Sequence, residues 1–197
     1  MPTLDFSQLT DDGTVRKENE DAVAFWPHED GMVFAVADGL GGHNAGVVAS
    51  NLALEALGRE LDRAPASWAI DKRLRRAIQE ANIAIHQKGI TVPELSRMAT
   101  TLTASAVVGN HLVTAHVGDC RLYLLRDNQL TQLTKDHTWV AEQMEYGILS
   151  AEEARTHPKR ILHHFLLAHV PDVHRRRHGN ALRARVLRLS VPADDLQ

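Results

Sequence analysis

An aspartate-glycine pair, Asp38-Gly39, closes the apolar run Met32-Val33-Phe34-Ala35-Val36-Ala37 and opens the glycine-rich segment Leu40-Gly41-Gly42-His43. A carboxylate at the mouth of a buried strand, beside glycines that leave backbone carbonyls uncovered, suits a hard cation better than a core. Two more acidic groups stand at element ends. Arg16-Lys17-Glu18-Asn19-Glu20-Asp21 precedes a short strand, and Gly118-Asp119 falls in a tight turn. Carboxylates, a backbone carbonyl and water are the ligand set of Mg²⁺ or Mn²⁺, and a pair of such ions can generate hydroxide and clamp both oxygens of an in-line phosphoryl displacement. An arginine beside them supplies the planar fork that phosphate prefers. Acidic turn residues taken one at a time are usually solvated. Asp38 departs from that rule because it continues a six-residue apolar strand, where an uncompensated charge is costly.

The elements that must position these groups follow from hydrophobic period. Leu4 to Leu9 and Asp21 to Phe25 read as short strands around the turn Asp11-Asp12-Gly13, and Met32 to Ala37 as a buried strand. The period then lengthens: Val47, Leu54, Leu57 and Leu61 share one helical face, and a second helix from about Ser67 to Lys88 stacks Leu74, Ile78 and Ile85, with Gly89 as its stop. Thr100 to Val108, His111 to Val117, Arg121 to Leu125 and Gln129 to Leu133 form four short strands. Their connections, Gly109-Asn110, Gly118-Asp119-Cys120 and Asp127-Asn128, are too short for parallel crossovers, so antiparallel neighbours are expected. A short helix is predicted from Val140 to Tyr146, and Ser150-Ala151-Glu152-Glu153 has the spacing of a capping box.

Composition sets the outer bounds. At 197 residues and 44% hydrophobic the chain is long enough for one substantial core. A formal charge of −3 argues for neither a nucleic-acid binder nor a membrane-surface protein. One cysteine, Cys120, permits no internal disulfide, and no apolar run approaches the ~20 residues that span a bilayer, so a cytoplasmic location is expected. The average hides a break near Arg160. Residues 161–197 hold six Arg, no Lys and three Asp, a net +3 that leaves −6 for the preceding 160 residues; they also hold five of the twelve histidines.

Other chemistries fit the residues less well. Cys120-x5-Arg126 has the spacing of a thiolate phosphatase loop, but Arg121-Leu122-Tyr123-Leu124-Leu125 lacks the glycines that let backbone N–H groups cradle an oxyanion. Gly39-Leu40-Gly41-Gly42-His43-Asn44 resembles a dinucleotide loop, yet its third glycine is replaced and Asp38 would face a pyrophosphate with like charge. His174-x3-His178 has no third ligand in a defined place and reads as a basic segment.

Arg16-x-x-Asn19-Glu20-Asp21, Val36-Ala37-Asp38-Gly39-Leu40-Gly41-Gly42-His43, Met98-Ala99-Thr100-Thr101, His116-Val117-Gly118-Asp119-Cys120-Arg121 and Thr134-Lys135-Asp136-His137-Thr138 resemble, in order and spacing, the motifs of metal-dependent protein phosphatases of the PPM (PP2C-like) family in its bacterial form. The resemblance covers about residues 1–160. It implies an α+β fold in which two antiparallel sheets pack as a sandwich flanked by helix pairs, incomplete at its C-terminal end. It also implies a two-metal Mn²⁺ or Mg²⁺ centre that hydrolyses phosphoserine and phosphothreonine in proteins. Carried over by position, Asp38 would bridge both ions and Gly39 would offer its carbonyl to one. Asp21, with Glu20 beside it, would hold an ion directly or through water; Arg16 would bind the substrate phosphate; Asp119 would bind a third, weaker ion. His43 stands three residues beyond Leu40, where another branch of the family carries a candidate general acid, and is read as a proton or loop-ordering residue. The implied partners are phosphorylated proteins, a cognate Ser/Thr kinase and its targets.

The departure comes after Arg160. The family's late Asp-Gly and Asp-Asn pairs, whose aspartates complete one ion's coordination, have no counterpart in residues 161–197, which contribute only Asp172, Asp194 and Asp195. The chain is therefore expected to divide into a phosphatase-type domain over 1–160 and a divergent Arg/His-rich tail over 161–197, as a coding frameshift or a genuine short member would produce. Two functional readings follow: a phosphatase with weakened or lost activity, or an inactive phosphoprotein-binding module or fragment. Leu162, Phe165, Leu166, Leu167, Val186, Leu187 and Leu189 are expected to cover the exposed sheet edges, or the protein to self-associate through them.

Overall fold

The computed structural model describes residues 4–14, 18–29, 31–42, 44–160, 162–163 and 167, together with the backbone of 185–190. Its frame is an antiparallel sheet of six strands. β1 (Asp21–His28) pairs with β2 (Gly31–Leu40), β2 with both β3 (Ala99–Thr100) and β4 (Leu102–Val108), β4 with β5 (His111–Val117), and β5 with β8 (Arg185–Ser190). A separate hairpin joins β6 (Tyr123–Arg126) to β7 (Gln129–Gln132) through Asp127 and Asn128, which both have positive φ, as a tight two-residue turn requires.

Helices α1 (Ala45–Arg63) and α2 (Ile70–Thr91) pack on each other and on one face of the sheet. Alternation along the strands decides which face. Val33, Ala35 and Ala37 of β2, Leu102, Ala104 and Ala106 of β4, and Val113, Ala115 and Val117 of β5 are buried with Ala49, Ala53, Leu57, Leu74, Ile78 and Ile85 of the helices. Alanines at helix positions 45, 49, 53 and 56 let α1 approach the strands closely. Two short helices follow, α3 (Trp139–Glu145) and α4 (Ala151–Thr156). The predicted capping box is present at α4, with Ser150 and Glu153 satisfying each other's backbone amides.

The antiparallel sheets and the helix pair agree with the α+β expectation; four details differ. Leu4 to Leu9 is not a strand: Phe6 instead packs edge-on against Phe25 and Phe34 at 4.8 and 5.2 Å, so a single aromatic anchor holds the segment. α2 runs through Gly89 to Thr91, because Gly89 keeps an ordinary negative φ and Pro93 disfavours helical geometry at Val92. The strand from Thr100 is broken at Thr101, whose amide turns to Asp38. Finally, β5 and β6 lie in different sheets, so the Gly118-Asp119-Cys120 turn is a crossing rather than a hairpin.

Beyond Arg160, β8 takes the open edge of β5, with Ser190 opposite His111 and Arg185 opposite His116. Leu167 is fully buried and exchanges backbone hydrogen bonds with Thr100, whereas Leu162 is exposed. Phe165, Leu166 and the side chains of Val186, Leu187 and Leu189 lie outside the described residues.

Candidate metal centre

Asp21 and Asp38 are direct partners in the β1–β2 register, so both carboxylates project from the same face of the sheet. It is the face turned away from α1 and α2, since Ala22 and Ala37, their neighbours in sequence, are buried on the helix side. Carboxylates directly opposite each other repel, and a divalent cation between them removes that cost. The backbone of Asp38 is held from the side. Its amide donates to the Thr101 hydroxyl at 2.9 Å, and its carbonyl accepts from the Thr101 amide at 3.0 Å and the Thr100 hydroxyl at 2.9 Å.

Gly39 extends this junction, donating from its amide to the Glu20 carbonyl at 3.1 Å. A Cβ at Gly39 would run into the Gly46 carbonyl, and one at Gly46 into the Glu20 carboxylate. Glycine at both positions is what allows the start of α1 to press on the strand end. Glu20 therefore places its carboxylate at the first turn of α1, where the helix dipole favours an anion, while Asp21 takes the opposite face with Asp38.

Asp119 reaches the same region from the β5–β6 crossing. The crossing is fixed by the segment from Thr134 to Thr138. The His137 amide donates to the Gly118 carbonyl at 2.8 Å, the Gly118 amide donates to Nδ1 of His137 at 3.2 Å, and Leu122 donates to the Thr134 hydroxyl at 3.0 Å. Arg121 grips Asp136 with two arms, Nε to Oδ1 at 3.0 Å and Nη2 to Oδ2 at 2.7 Å, which keeps the guanidinium firmly protonated. Cys120, between Asp119 and Arg121, records the convergence of the acids. Burial, together with the carboxylates of Asp38, Asp119 and Asp21, pushes its thiol up to about 11 against the opposing contact with the Thr101 hydroxyl at 3.0 Å. Three carboxylates thus act on one sulfur.

The structure therefore brings Asp21, Asp38, Gly39 and Asp119 to one corner of the sheet and puts Glu20 at its helix side. Arg16 and His43 lie outside the described residues. Carboxylate and carbonyl oxygens are the donors a hard cation takes, but among the described residues no three His, Cys, Asp or Glu groups converge closely enough to hold an ion by themselves. His163 was not anticipated. Its Nε2 stands 3.0 Å from Oδ1 of Asp119, and its basicity is raised by that carboxylate and, more weakly, by Asp38 and Asp136. Nothing in the sequence marks it, since it follows the compositional break in a run of histidines.

The protein phosphatase 2C family profile matches residues 14–170. Over 159 residues, 81% of this chain and 30% of the relative, the sequence is 43% identical to the serine/threonine protein phosphatase PstP of Mycobacterium tuberculosis. Over 155 residues, 77% of this chain and 62% of the relative, it is 39% identical to the serine/threonine phosphatase stp of Listeria welshimeri. The crystal structure of the PstP catalytic domain in complex with two manganese ions superposes with a TM-score of 0.73 at 36% identity, over 92% of this chain and 70% of that one. The chain belongs to the protein phosphatase 2C (PPM) family. It spans less than two thirds of the length of these curated relatives.

Proposed function

We propose that this chain is built for metal-dependent hydrolysis of phosphoserine and phosphothreonine in proteins, through its 1–160 phosphatase-type domain. The observation that carries the reading is the Asp21–Asp38 register pair at the end of β2, with Gly39 next in line and Asp119 at the same corner. Asp38 would bridge Mn²⁺ or Mg²⁺ ions, Gly39 would add its carbonyl, and Asp21 would hold an ion directly or through water. The bound cations would supply Lewis-acid stabilisation and a nucleophilic water. The chain's own residues orient the rest. Thr100 and Thr101 fix the Asp38 backbone, Arg16 would bind the substrate phosphate, and Glu20 secures the start of α1 behind Gly39.

A cavity of about 440 Å³ opens beside Asp119, lined by Arg121, Arg155, Arg160, Val140 and Met144 among others. Asp136 also lines it and engages Arg121, so the guanidinium groups of Arg155 and Arg160 beside the apolar floor are the ones that suit a phosphorylated polypeptide. Phosphorylated proteins, a cognate Ser/Thr kinase and its targets, are thus the proposed partners. Among the described residues no helix is long and apolar enough to cross a membrane; a cytoplasmic location is proposed.

The second reading is a phosphoprotein-binding module without turnover. It is favoured by the absence, in residues 161–197, of Asp-Gly and Asp-Asn pairs that would complete one ion's coordination. Phosphate release from a phosphothreonine peptide during a Mn²⁺ titration separates the two. Turnover abolished by EDTA and by Asp38→Ala supports the enzyme; peptide and ion binding with no turnover supports the module.

A further inference from the structure

We propose that His163 and Asp119 together ligate a divalent transition cation, making the Asp119 end of the acidic corner a mixed imidazole–carboxylate site that takes Mn²⁺ in preference to Mg²⁺. The inference rests on the metal-dependent reading above and adds a nitrogen ligand from beyond Arg160 to it.

In the structure the two groups form an ion pair, and its geometry is also that of two ligands converging on one ion. Nε2 of His163 lies 3.0 Å from Oδ1 of Asp119, yet this buried nitrogen has no aligned hydrogen-bond partner among the described residues. Ligand atoms each about 2.1 Å from one ion, at right angles, are about 3.0 Å apart. The carboxylate meets the ring only through that misaligned ion pair, and a shared cation would ligate both atoms. The ring is held in place: Leu162 accepts from the Trp139 amide at 2.8 Å, and His163 forms a β-bridge to Thr138. Asp119 is fixed in turn by the Thr134–Thr138 clamp on its loop. The His163 side chain is 13% exposed and that of Asp119 36%, so water can complete the shell from the Asp119 side. An imidazole among oxygen ligands favours Mn²⁺ over Mg²⁺, which binds oxygen almost exclusively. The negative field of Asp38 and Asp136 at the ring favours a cation there as well.

The test is pulsed electron paramagnetic resonance on the full chain loaded with Mn²⁺, paired with calorimetric Mn²⁺ titration. A ¹⁴N coupling from imidazole is expected, converting to the ¹⁵N pattern when the histidines are ¹⁵N-labelled. In His163→Gln the coupling should vanish and one Mn²⁺ site should weaken at least about tenfold, while a tenfold excess of Mg²⁺ should leave the wild-type coupling in place. Mn²⁺ binding without nitrogen coupling, or coupling that persists in His163→Gln, overturns the proposal and leaves the metal-dependent reading intact. Tighter Mn²⁺ binding in His163→Gln also overturns it, because the ring would then be filling the ion's place. Should His163→Gln fail to fold, Asp119→Asn carries the test, and a nitrogen coupling retained there overturns the proposal. No Mn²⁺ binding to the wild type would overturn both.

Discussion

Thr101 grips Asp38 through two hydrogen bonds running in opposite directions: its amide donates to the Asp38 carbonyl at 3.0 Å, and its hydroxyl accepts from the Asp38 amide at 2.9 Å. The same hydroxyl lies 3.0 Å from Sγ of Cys120, linking the β2 end to the Asp119 loop. Thr101→Val keeps the shape and the backbone bond but strands the Asp38 amide. A buried donor left unpaired costs about 1–3 kcal/mol. Urea unfolding should show a loss in that range, and Mn²⁺ titration a weaker ion, because Asp38 is no longer held. Wild-type stability in Thr101→Val would show that the hydroxyl contact contributes nothing.

Gly39 and Gly46 meet where α1 begins: a methyl group on Gly39 strikes the Gly46 carbonyl and the Glu20 carbonyl, whereas one on Gly46 meets first the Glu20 carboxylate, the end of a flexible side chain. Gly39→Ala is the sharper test, because its Cβ meets only backbone, which cannot swing aside as the Glu20 side chain can. Overpacking typically costs about 1–3 kcal/mol, so a fall in melting temperature is expected. A rise in melting temperature would mean that α1 shifts freely away from the Glu20 junction.

The frame was legible wherever burial followed a clean period. The apolar run of β2, the short connections around β4 and β5 and the stacked Leu74, Ile78 and Ile85 of α2 each placed an element within a few residues. Asp21, Asp38 and Asp119 could be read as candidates because strand ends and turns aim side chains. What failed was information that sequence does not carry locally. Leu4 to Leu9 looks like a strand but has no ladder partner among the described residues, and Gly89 looks like a stop but lies one turn before the proline that ends the helix. His163 was invisible because its meaning comes from a tertiary contact made after the composition changes.

Cys120 has the spacing to Arg126 of a thiolate nucleophile, yet its environment disarms it. Burial and three carboxylates push the thiol up to about 11, so the thiolate that would attack phosphorus is scarce at neutral pH. Cys120→Ser should retain any phosphatase activity within about a few-fold, and iodoacetamide at pH 8 should modify metal-free protein far more slowly than a free thiol of ordinary acidity. Rapid alkylation, or loss of turnover in Cys120→Ser with metal affinity unchanged, would assign the sulfur a chemical role.

His116 gives the metal-free protein a defined acid sensitivity. The ring is 3% exposed, its Nδ1 is 2.7 Å from the Thr103 hydroxyl, and burial holds its basicity below the ordinary value of 6.5. The folded state therefore keeps the ring neutral at a pH where the unfolded chain has taken up a proton. Above pH 6.5 neither state is protonated and the group contributes nothing to the pH dependence; below it the unfolded state binds more protons, so stability falls, by at most about 1.4 kcal/mol per pH unit. His163 acts in the opposite sense. Its raised basicity stabilises the fold fully below 6.5, and that contribution is lost as pH rises through the folded value, so it adds no slope on the acid side. Chemical unfolding in EDTA between pH 5 and 8 should thus show an acid-side decline that is shallower in His116→Asn, where the amide can still meet Thr103. Parallel curves for the two proteins would place the acid sensitivity elsewhere.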